Sequence, residues 1–493
     1  MAESEKFNPS KPGTLRALHG PRWQLEQDFA QPTLDMLESG RNLRKFEDEE
    51  APDYEYRKYM SCPLDMIPDA LTIRQDNIFR ELPVRHFEKS KYKELIETLI
   101  SDADGDGTPL NEFMRRALWQ RNAIGVDIVT QMTSADVEVV SVQDAKDAGL
   151  RPFWLQFSSR QKVDWATKGS GIYRWVRYSL GAMPSPSEKR PAPGVMQFLT
   201  LTPETWQKWA QKIGETKESD PEVVDLGTGE NWNSSIQAIV PAIKFYFAES
   251  MVPGEGGVSL SLITRAAVIA RCALNLKSQA DMDMLAAVAR WLLKGIGSDK
   301  APNSMGPQML WATENADADL SVVQGSADPL KEKRVWLELF LGEILRLLKF
   351  RGGMGEVEGN QGSGVKLALE MTDLRNELTS TASEMEALEL EMMRQAVVMA
   401  TGDDIPQGKE AAKLLGYRVK YNKQFVLDSA AELLDYMKAW FVDLDAVSTN
   451  LPAMNKALLE RFANLLVRND DPDAENVAGE IDTVAGSLDA EDE

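Results

Sequence analysis

The segment from Val365 to about Ala400 constrains the fold more than any other part of the sequence. Two apolar series recur there every seven residues: Met371, Leu378, Met385 and Met392, and beside them Leu367, Leu374 and Leu388. Thr381 interrupts the second series. This period predicts one helix that packs against another helix over most of its length, and the alternative is a core helix of a large α domain. A helix of ~35 residues would extend on the order of 50 Å, a length typical of coiled coils, repeats and assemblies.

Two other helical segments precede the long one. The stretch VSLSLITRAAVIARCALNLKSQADMDMLAAVARWLLKG predicts one helix or two from about Ser259 to Leu293. The stretch KEKRVWLELFLGEILRLLKF places apolar side chains on one helical face: Trp336, Leu339, Phe340, Ile344, Leu347 and Leu348. This second helix is expected to end at the glycine-rich RGGMGEVEGNQGSG, directly before the long helix.

The remaining segments differ in composition and in the secondary structure that they predict. Residues 1–55 are polar and contain proline, with one weak helical stretch in QPTLDMLESGRNLRKF, and we interpret them as an arm. From 57 to 146, short helices alternate with irregular stretches, including YKELIETLI and NEFMRRALWQRNAIGVDIV. From 148 to 250, RPFWLQF, GIYRWVRYSL and MQFLTLT are rich in aromatic and β-branched residues and predict strands. Near the end, AAELLDYMKAWFVDLDAV and PAMNKALLERFANLLVRN predict a helical hairpin. The fold class is therefore mixed α+β, mainly α.

Length and charge limit the possible functions. A chain of 493 residues exceeds one hydrophobic core, so two or more domains or layers are expected. The formal net charge is −22, and residues 469–493 hold ten acidic residues and no Lys or Arg, as in a flexible acidic tail. A protein that binds nucleic acid tightly is normally basic, so DNA is expected only as a transient partner that passes by without being bound. Two distant cysteines, a polar start and no membrane-length apolar run indicate a cytoplasmic protein without disulfides or membrane contact.

The stretch SDADGDGTPLNEF, residues 101–113, resembles a calcium-binding loop. Asp102, Asp104 and Asp106 alternate, but the twelfth position that a bidentate Glu must fill is Phe113. The alternative is a turn before a helix, with Thr108 as the N-cap and a proline at the first helical position. We favour the turn, so no metal site is predicted.

No other motif predicts catalysis or a cofactor. In GDDIPQGK five residues separate Gly402 from Gly408, whereas a phosphate loop needs four, and Glu410 stands where a Ser or Thr should hold magnesium. Six tryptophans in the middle segment are expected to pack in a core or interface, with base stacking as the alternative: Trp154, Trp165, Trp175, Trp206, Trp209 and Trp232. A basic cluster of Lys331, Lys333 and Arg334 opens a helix, where it could contact a partner or passing phosphates, or be solvated.

Several segments in order resemble the portal proteins of tailed bacteriophages, over roughly residues 55–405. YEYRKYMSCPLDMIPDALTIRQDNIFRELP is similar to the family's opening helical region, and SDADGDGTPLNEFMRRALWQRNAIGVDIV to its acidic turn and following helix. RPFWLQFSSRQKVDW is similar to a family strand, and SLITRAAVIARCALNLKSQADMDMLAAVARWLLKGI to the first stem helix. GEVEGNQGSGVKLALEM resembles the segment before the long helix, matching at Gly362, Ser363, Gly364 and Leu367.

The resemblance implies a portal fold and assigns its regions. These are an N-terminal arm (1–56), an α/β wing (57–258), stem helix 1 (259–285), a clip (286–330), stem helix 2 (331–349), a tunnel loop (350–363), a long tunnel helix (364–405), a helical crown (406–468) and the acidic tail (469–493). The tunnel loop would face DNA in the channel with Arg351, Gly352, Gly353, Met354, Glu356, Glu358, Asn360 and Gln361. Lys331, Lys333 and Arg334 would lie where the stem meets the clip, available to a partner.

The resemblance also implies a function that is not enzymatic. The chain would form a ring, expected to be a dodecamer, at one vertex of the capsid of a virion made in the bacterial cytoplasm. Double-stranded DNA would pass through the ring during packaging and ejection, and the terminase, the capsid or scaffold protein and the head–tail adaptor would dock on it. The alternative is a cytoplasmic metal-dependent hydrolase that uses Asp102, Asp104 and Asp106.

Overall fold

The computed structural model of the chain contains both helices and antiparallel sheets, which confirms the mixed class. It describes residues 10–47, 49–63, 65–133, 150–168, 171–183, 195–212, 223–231, 239–287, 290–294, 319–323, 328–349 and 364–423. Within these ranges no helix is long and apolar enough to cross a membrane.

The described helices and the described strands are each numbered in chain order. The helices are α1 (Thr14–Ala30), α2 (Leu34–Glu38), α3 (Ala51–Met60), α4 (Met66–Ile78), α5 (Lys93–Ser101), α6 (Leu110–Ala123), α7 (Thr264–Ala287), α8 (Asp328–Leu347), α9 (Gly364–Thr401) and α10 (Lys409–Leu415). The strands are β1 (Val84–His86), β2 (Val126–Met132), β3 (Pro152–Ser158), β4 (Lys162–Thr167), β5 (Tyr173–Met183), β6 (Val195–Leu201), β7 (Thr205–Lys212), β8 (Val223–Glu230), β9 (Ala242–Phe245), β10 (Ala248–Glu249), β11 (Ser259–Leu260), β12 (Arg290–Lys294), β13 (Asp319–Val323) and β14 (Arg418–Lys420).

The long helix α9 confirms the predicted length, but its packing partner was predicted wrongly. Residues of both seven-residue series are buried on it: Leu374, Leu378, Met385, Leu388 and Met392. They join Phe113 and Trp154 in one core, and α9 contacts the sheet of order β3-β2-β9 and the shorter helices α4 and α10. A seven-residue stripe marks one buried side of a helix, and a sheet can cover that side as well as a second long helix can.

The strand-rich region predicted for 148–250 is confirmed. Strands β4 to β8 form a five-stranded antiparallel sheet in sequence order, which buries Val176 and Leu201 in a second core. Trp154 and Trp165 are buried, as expected for packing residues, and Trp175, Trp206 and Trp209 are partly buried. Trp232 lies outside the described residues.

The N-terminal region does not extend as an arm. Its main helix is α1, which was not predicted, and the helix expected in QPTLDMLESGRNLRKF is only the five-residue α2. Trp23 and Phe29 of α1 are buried in the second core. Indole Nε1 of Trp23 lies 3.4 Å from the Ser259 carbonyl, and Arg22 Nη2 donates to the same oxygen at 2.5 Å. This helix therefore packs at the base of α7.

Two predicted helices end earlier than the sequence indicated. The segment NEFMRRALWQRNAIGVDIV is helical only to Ala123, and Gly125, at φ +96°, turns the chain into β2. A Cβ added to Gly125 would lie 2.5 Å from the Ser259 Cβ, so the glycine is required by both conformation and space. The helix predicted from 259 to 293 spans only Thr264–Ala287, and residues 290–294 form β12, paired with β13.

Helices α7 and α8 pack together as a pair connected through β12 and β13. Helix α8 begins at Asp328, three residues before the predicted start at Lys331. Its last part, with Ile344 and Leu348, shares the second core with the first part of α7, so the two helices are antiparallel. Of the residues after 405, α10 and β14 are described, and the predicted hairpin and acidic tail lie outside the described residues.

Candidate functional site

All of the predicted tunnel-loop residues lie outside the described residues. These are Arg351, Gly352, Gly353, Met354, Glu356, Glu358, Asn360 and Gln361. The chain reaches this segment at Lys349, whose positive φ of 58° ends α8, and continues after it at Gly364 with α9.

The end of α8 is held against α9 by charged side chains. Lys349 Nζ lies 2.9 Å from Glu377 Oε2, and Arg74 Nε donates to Glu377 Oε1 at 3.3 Å. Arg74 Nη2 also donates to the Leu348 carbonyl at 2.5 Å. Arg74 is almost fully buried, so this carbonyl and carboxylate partly compensate for the loss of water around the guanidinium. The attachment fixes where the chain enters residues 350–363.

The basic cluster Lys331, Lys333 and Arg334 lies within the first two turns of α8, not at its first residue. Because α8 begins at Asp328, Lys331 is its fourth residue, one turn away from the helix end where the dipole most disfavours positive charge. Arg334 Nε lies 2.9 Å from Glu338 Oε1, and both side chains are largely exposed. An exposed i,i+4 pair of this kind contributes little stability, so Arg334 remains available to an anionic partner at small cost.

The apolar face predicted for α8 divides into two parts. Ile344 and Leu348 near its end are buried against α7. Earlier in the helix, Val335 is 62% exposed, and Trp336 and Leu339 are each 56% exposed. Large apolar side chains clustered on one solvent-facing helix surface indicate a contact with another molecule, since single exposed apolar residues are common but clusters are not. We call this set of three residues the α8 apolar face.

Helix α7 has the composition of a helix that packs closely. Small side chains are buried along it at helical spacing: Ala266, Ala267, Ala270 and Ala273. They allow α1 and α8 to approach it. On the opposite side, Arg265, Val268 and Cys272 are exposed. The helix pair α7–α8 therefore presents uncovered side chains on both of its members.

The acidic turn before α6 uses its carboxylates to hold its own backbone. Asp102 Oδ1 accepts hydrogen bonds from the amides of Gly105 (2.8 Å) and Gly107 (2.9 Å), and Arg151 pairs with Oδ2. Asp104 Oδ1 accepts from the amides of Asp106 (3.0 Å) and Thr108 (3.2 Å). Thr108 was predicted wrongly as the N-cap, because Pro109 occupies that position and no side chain caps α6.

These hydrogen bonds also decide the charge of the turn. Burial acts to raise the pKa of Asp102, but the Gly107 amide and Arg151 outweigh it and hold the pKa below its usual range. The pKa of Asp104 is also lowered. Burial acts to raise it, but the hydrogen bonds from Thr108 and Asp106 outweigh burial. Both carboxylates are therefore ionised and engaged. In the described part of the chain, no three His, Cys, Asp or Glu side chains are grouped to hold a metal ion.

A buried polar cluster joins the two larger sheets, and sequence reasoning missed it. Asp127 of β2 accepts hydrogen bonds from the hydroxyls of Tyr173 (2.9 Å), Tyr178 (2.8 Å) and Tyr246 (2.5 Å). Lys162 Nζ lies 3.4 Å from Asp127 and donates to the hydroxyls of Tyr246 at 2.6 Å and Tyr173 at 2.8 Å. The only signal in the sequence is an aspartate inside the apolar run GVDIV.

Burial changes the titration of this cluster. It lowers the pKa of Lys162 to about 8, although Asp127 acts in the opposite direction. It raises the pKa of Tyr173, Tyr178 and Tyr246 well above the usual value, so their hydroxyls remain donors. A lysine with a lowered pKa can act as a nucleophile, but this one is fully buried and has no access to a substrate. The cluster therefore holds β2, β4 and β5 together.

Of the sites described above, the α8 apolar face is open to another macromolecule, because its three side chains are more than half exposed to solvent. The predicted loop residues adjoin the same helix in sequence, and the basic cluster lies within its first two turns. Comparison with known proteins found neither a matching family model nor a matching curated protein.

Proposed function

We propose that the chain is the subunit of a ring-shaped portal that conducts DNA through one vertex of a phage capsid. The observation that carries this proposal is the α8 apolar face on a helix pair that precedes a glycine-rich segment and a long helix. The same order of segments carries the resemblance to portal proteins. In this proposal α7 and α8 are the stem, and β12 and β13 belong to the clip between them.

Ring assembly gives the exposed apolar side chains a partner. In a closed ring, each subunit places one surface against a different surface of its neighbour. Val335, Trp336 and Leu339 would then be buried by the neighbour, with the exposed side of α7 as the natural counterpart. Tryptophan and leucine in such a contact contribute through the area they remove from water.

In the proposed mechanism, loops surround the DNA in the channel and the charge of the ring acts on the DNA phosphates. Residues 350–363 would form loops around the DNA, in which Arg351, Glu356 and Glu358 are the charged side chains. A subunit with a net charge of −22 repels the phosphate backbone on average, so DNA would slide through the ring and not remain bound. The energy for packaging would come from the terminase, which is a separate protein, and the head–tail adaptor would dock on the clip.

The metal-dependent hydrolase has less support. It requires carboxylate oxygens that are free to coordinate a metal, whereas Asp102 and Asp104 accept hydrogen bonds from the backbone of their own turn. Arg151 also competes with a cation for Asp102.

The proposal is tested by electron microscopy and light scattering of the purified full-length protein. Rings with a central hole and a mass near twelve subunits are expected. A second test deletes residues 352–362, which should still permit rings but impair packaging of DNA into capsids. Normal packaging by this deletion variant would refute the role of the loop, and a chain that stays monomeric even with scaffold protein would refute the ring.

A further inference from the structure

Two neighbouring arginines carry positive charge that no carboxylate of the described residues neutralises by an ion pair. Arg16 lies in the first turn of α1, and Arg160 lies in the turn between β3 and β4. Arg160 donates a hydrogen bond to the side-chain carbonyl of Gln27, which is also on α1. We call Arg16, Arg160 and Gln27 the α1 arginine site. Both arginines are half-buried, so the site is partly shielded from water and still reachable from it.

The guanidinium of Arg16 lies on α1 where a glycine leaves space for it. A Cβ added to Gly20 would lie 2.8 Å from Arg16 Nη1, so the arginine occupies the room of the missing side chain. Arg16 Cζ also lies 5.5 Å from the ring centre of Trp23, within the range of a cation–π contact. Arg16 Nη1 is buried and has no hydrogen-bond partner among the described residues. The donors of this side chain are therefore not used by the described part of the chain.

The carboxylate of Asp28, whose charge acts on Arg160, is already engaged with other side chains. Its two oxygens accept four hydrogen bonds, from Gln24 Nε2 (2.7 Å), Arg41 Nη2 (2.8 Å), Arg41 Nε (2.8 Å) and Asn42 Nδ2 (2.7 Å). Asp35 also accepts from Arg41, at 2.9 Å. These two carboxylates therefore neutralise Arg41 first, and they leave Arg160 without a hydrogen-bonded counter-charge.

The two guanidinium groups of the α1 arginine site are close enough to affect one another. Burial first, and then the charge of Arg160, lowers the pKa of Arg16. Burial is also the main cause that lowers the pKa of Arg160, and the charge of Asp28 opposes it. An arginine in a protein keeps its proton even so. Two partly buried cations repel each other, and an anion between them turns this repulsion into attraction.

A phosphate group has the charge and the shape that this arrangement favours. A guanidinium donates two parallel hydrogen bonds to phosphate oxygens, and a phosphate group with a charge near −2 matches two arginines. The side-chain amide of Gln27 adds N–H donors beside Arg160. A nucleic acid would need a longer stripe of basic side chains, whereas Asp28 and Asp35 adjoin this site and the whole chain is acidic. The phosphate group of a small molecule is therefore favoured over DNA.

We infer that Arg16 and Arg160 bind the phosphate group of a small molecule, on the side of α1 that carries Gly20 and Gln27. The two guanidiniums supply the charge and most of the donors, and the glycine keeps a side chain from filling the place of the Arg16 head group. Residues 20 and 27 lie seven positions apart and so share one helix face. This inference does not depend on the proposed function, because a single subunit contains the whole site.

Calorimetric titration of the full-length protein with inorganic pyrophosphate, in a chloride buffer without divalent metal, tests the inference. Saturable binding of one pyrophosphate per chain is expected. Arg16→Gln and Arg160→Gln should each lower the affinity about tenfold or more, since each removes a charged donor to the phosphate oxygens. The matched control is Arg116→Gln, because Arg116 is an exposed arginine on α6 that pairs with Glu112 at 3.1 Å. This variant should bind pyrophosphate with the affinity of the wild type.

Thermal unfolding separates binding from packing. Without pyrophosphate, Arg160→Gln should unfold at the Tm of the wild type or above it, because the repulsion with Arg16 is gone. With saturating pyrophosphate, the wild type should become the more stable of the two, since a ligand stabilises the fold that binds it. A Tm difference that pyrophosphate does not change would show that the arginines only pack against α1, and it would refute the site.

Two other results would also overturn the inference. Equal affinities of the wild type, Arg16→Gln and Arg160→Gln would place the bound pyrophosphate elsewhere on the chain. A short DNA duplex serves as the second probe, measured by fluorescence anisotropy at the same salt concentration. Binding of the duplex that requires Arg16 and Arg160, with no binding of pyrophosphate, would show that the site takes a nucleic acid and not a small phosphate.

Discussion

Replacing the two largest side chains of the α8 apolar face should weaken assembly without unfolding the subunit. In the double variant Trp336→Ala, Leu339→Ala, both changes remove side chains that are more than half exposed. Alanine is the best helix former, so α8 itself should remain intact. Any loss of assembly would then come from the contact between subunits.

The expected size of the effect follows from the exposed fractions. Fully burying a large apolar side chain contributes about 1.5–3 kcal/mol. Roughly half of each side chain is available to a neighbour, so the pair contributes about 2.5 kcal/mol to one contact. This lowers the association constant between subunits about 60-fold. Every contact in a closed ring carries the same change, so the concentration at which rings form should rise by a similar factor.

The assay measures mass against concentration by size-exclusion chromatography with light scattering, with ring counts by negative-stain microscopy. Ile73→Ala serves as the matched control, since Ile73 is a partly exposed apolar residue on α4 and does not belong to the α8 apolar face. Circular dichroism and urea unfolding should be unchanged in both variants. The reasoning is refuted if the double variant forms rings at the concentration of the wild type, or if Ile73→Ala impairs assembly equally.

Three further outcomes are expected. Because burial lowers the folded-state pKa of Lys162 to about 8, the unfolded chain binds more protons above that pH. Stability measured by urea unfolding should therefore rise from pH 8 towards pH 9.5, by up to about 1.4 kcal/mol per pH unit relative to Lys162→Met. Gly125→Ala should lower the free energy of unfolding by roughly 2–6 kcal/mol, through backbone strain and the clash with Ser259. Asp104→Ala should cost about 1–2 kcal/mol through its two lost backbone hydrogen bonds, leave ring assembly intact, and give a Tm that calcium does not change.

Each of these outcomes has its own control. A pH slope in Lys162→Met equal to that of the wild type would show that another group titrates. Gly107→Ala shares the positive φ but has open space around the added Cβ, so it should cost only the strain of about 1–3 kcal/mol. An equal loss in the two alanine variants would refute the clash at Gly125. A Tm raised by calcium in the wild type and not in Asp104→Ala would restore the metal-site interpretation.

The sequence predicted the elements whose pattern is local. Strands between 148 and 250 follow from aromatic and β-branched runs, and the long helix α9 follows from its apolar period. The covering partner of α9 is not a local property. A stripe such as Leu378, Met385 and Met392 records that one side is buried, and the sheet that covers it comes from residues far away in sequence.

Helix α1 was not predicted from the sequence because charged residues occupy its buried side. Glu26 and Asp28 are buried beside Trp23 and Phe29, so the apolar period is interrupted where the helix packs. Burial raises the pKa of Glu26 to about 7, despite a hydrogen bond from the Thr264 hydroxyl at 2.5 Å. Such a partner exists only in the folded chain, so a sequence cannot show that the position is buried.

The sequence predicted which residues form the candidate site, but not which of them are buried and which are exposed. The apolar residues of α8 were identified from their spacing, but Ile344 is buried and Trp336 is exposed although both belong to the same face. Which part α7 covers depends on how the two helices are offset. Likewise, the sequence shows Asp127 as an aspartate within an apolar run, but not its partners, since Tyr173 and Tyr178 come from β5 and Tyr246 follows β9.

The contact between α1 and the base of α7 has a consequence for synthesis. Trp23 and Ser259 are 236 positions apart in the chain, yet they meet in the fold. At about 5–20 residues per second, the ribosome completes Ser259 roughly 12–47 s after Trp23. During that interval the tryptophan and Phe29 lack their native cover, and closing so long a loop is intrinsically slow. The nascent chain therefore exposes an apolar N-terminal segment to chaperones and to neighbouring chains before the α7–α8 pair can fold over it.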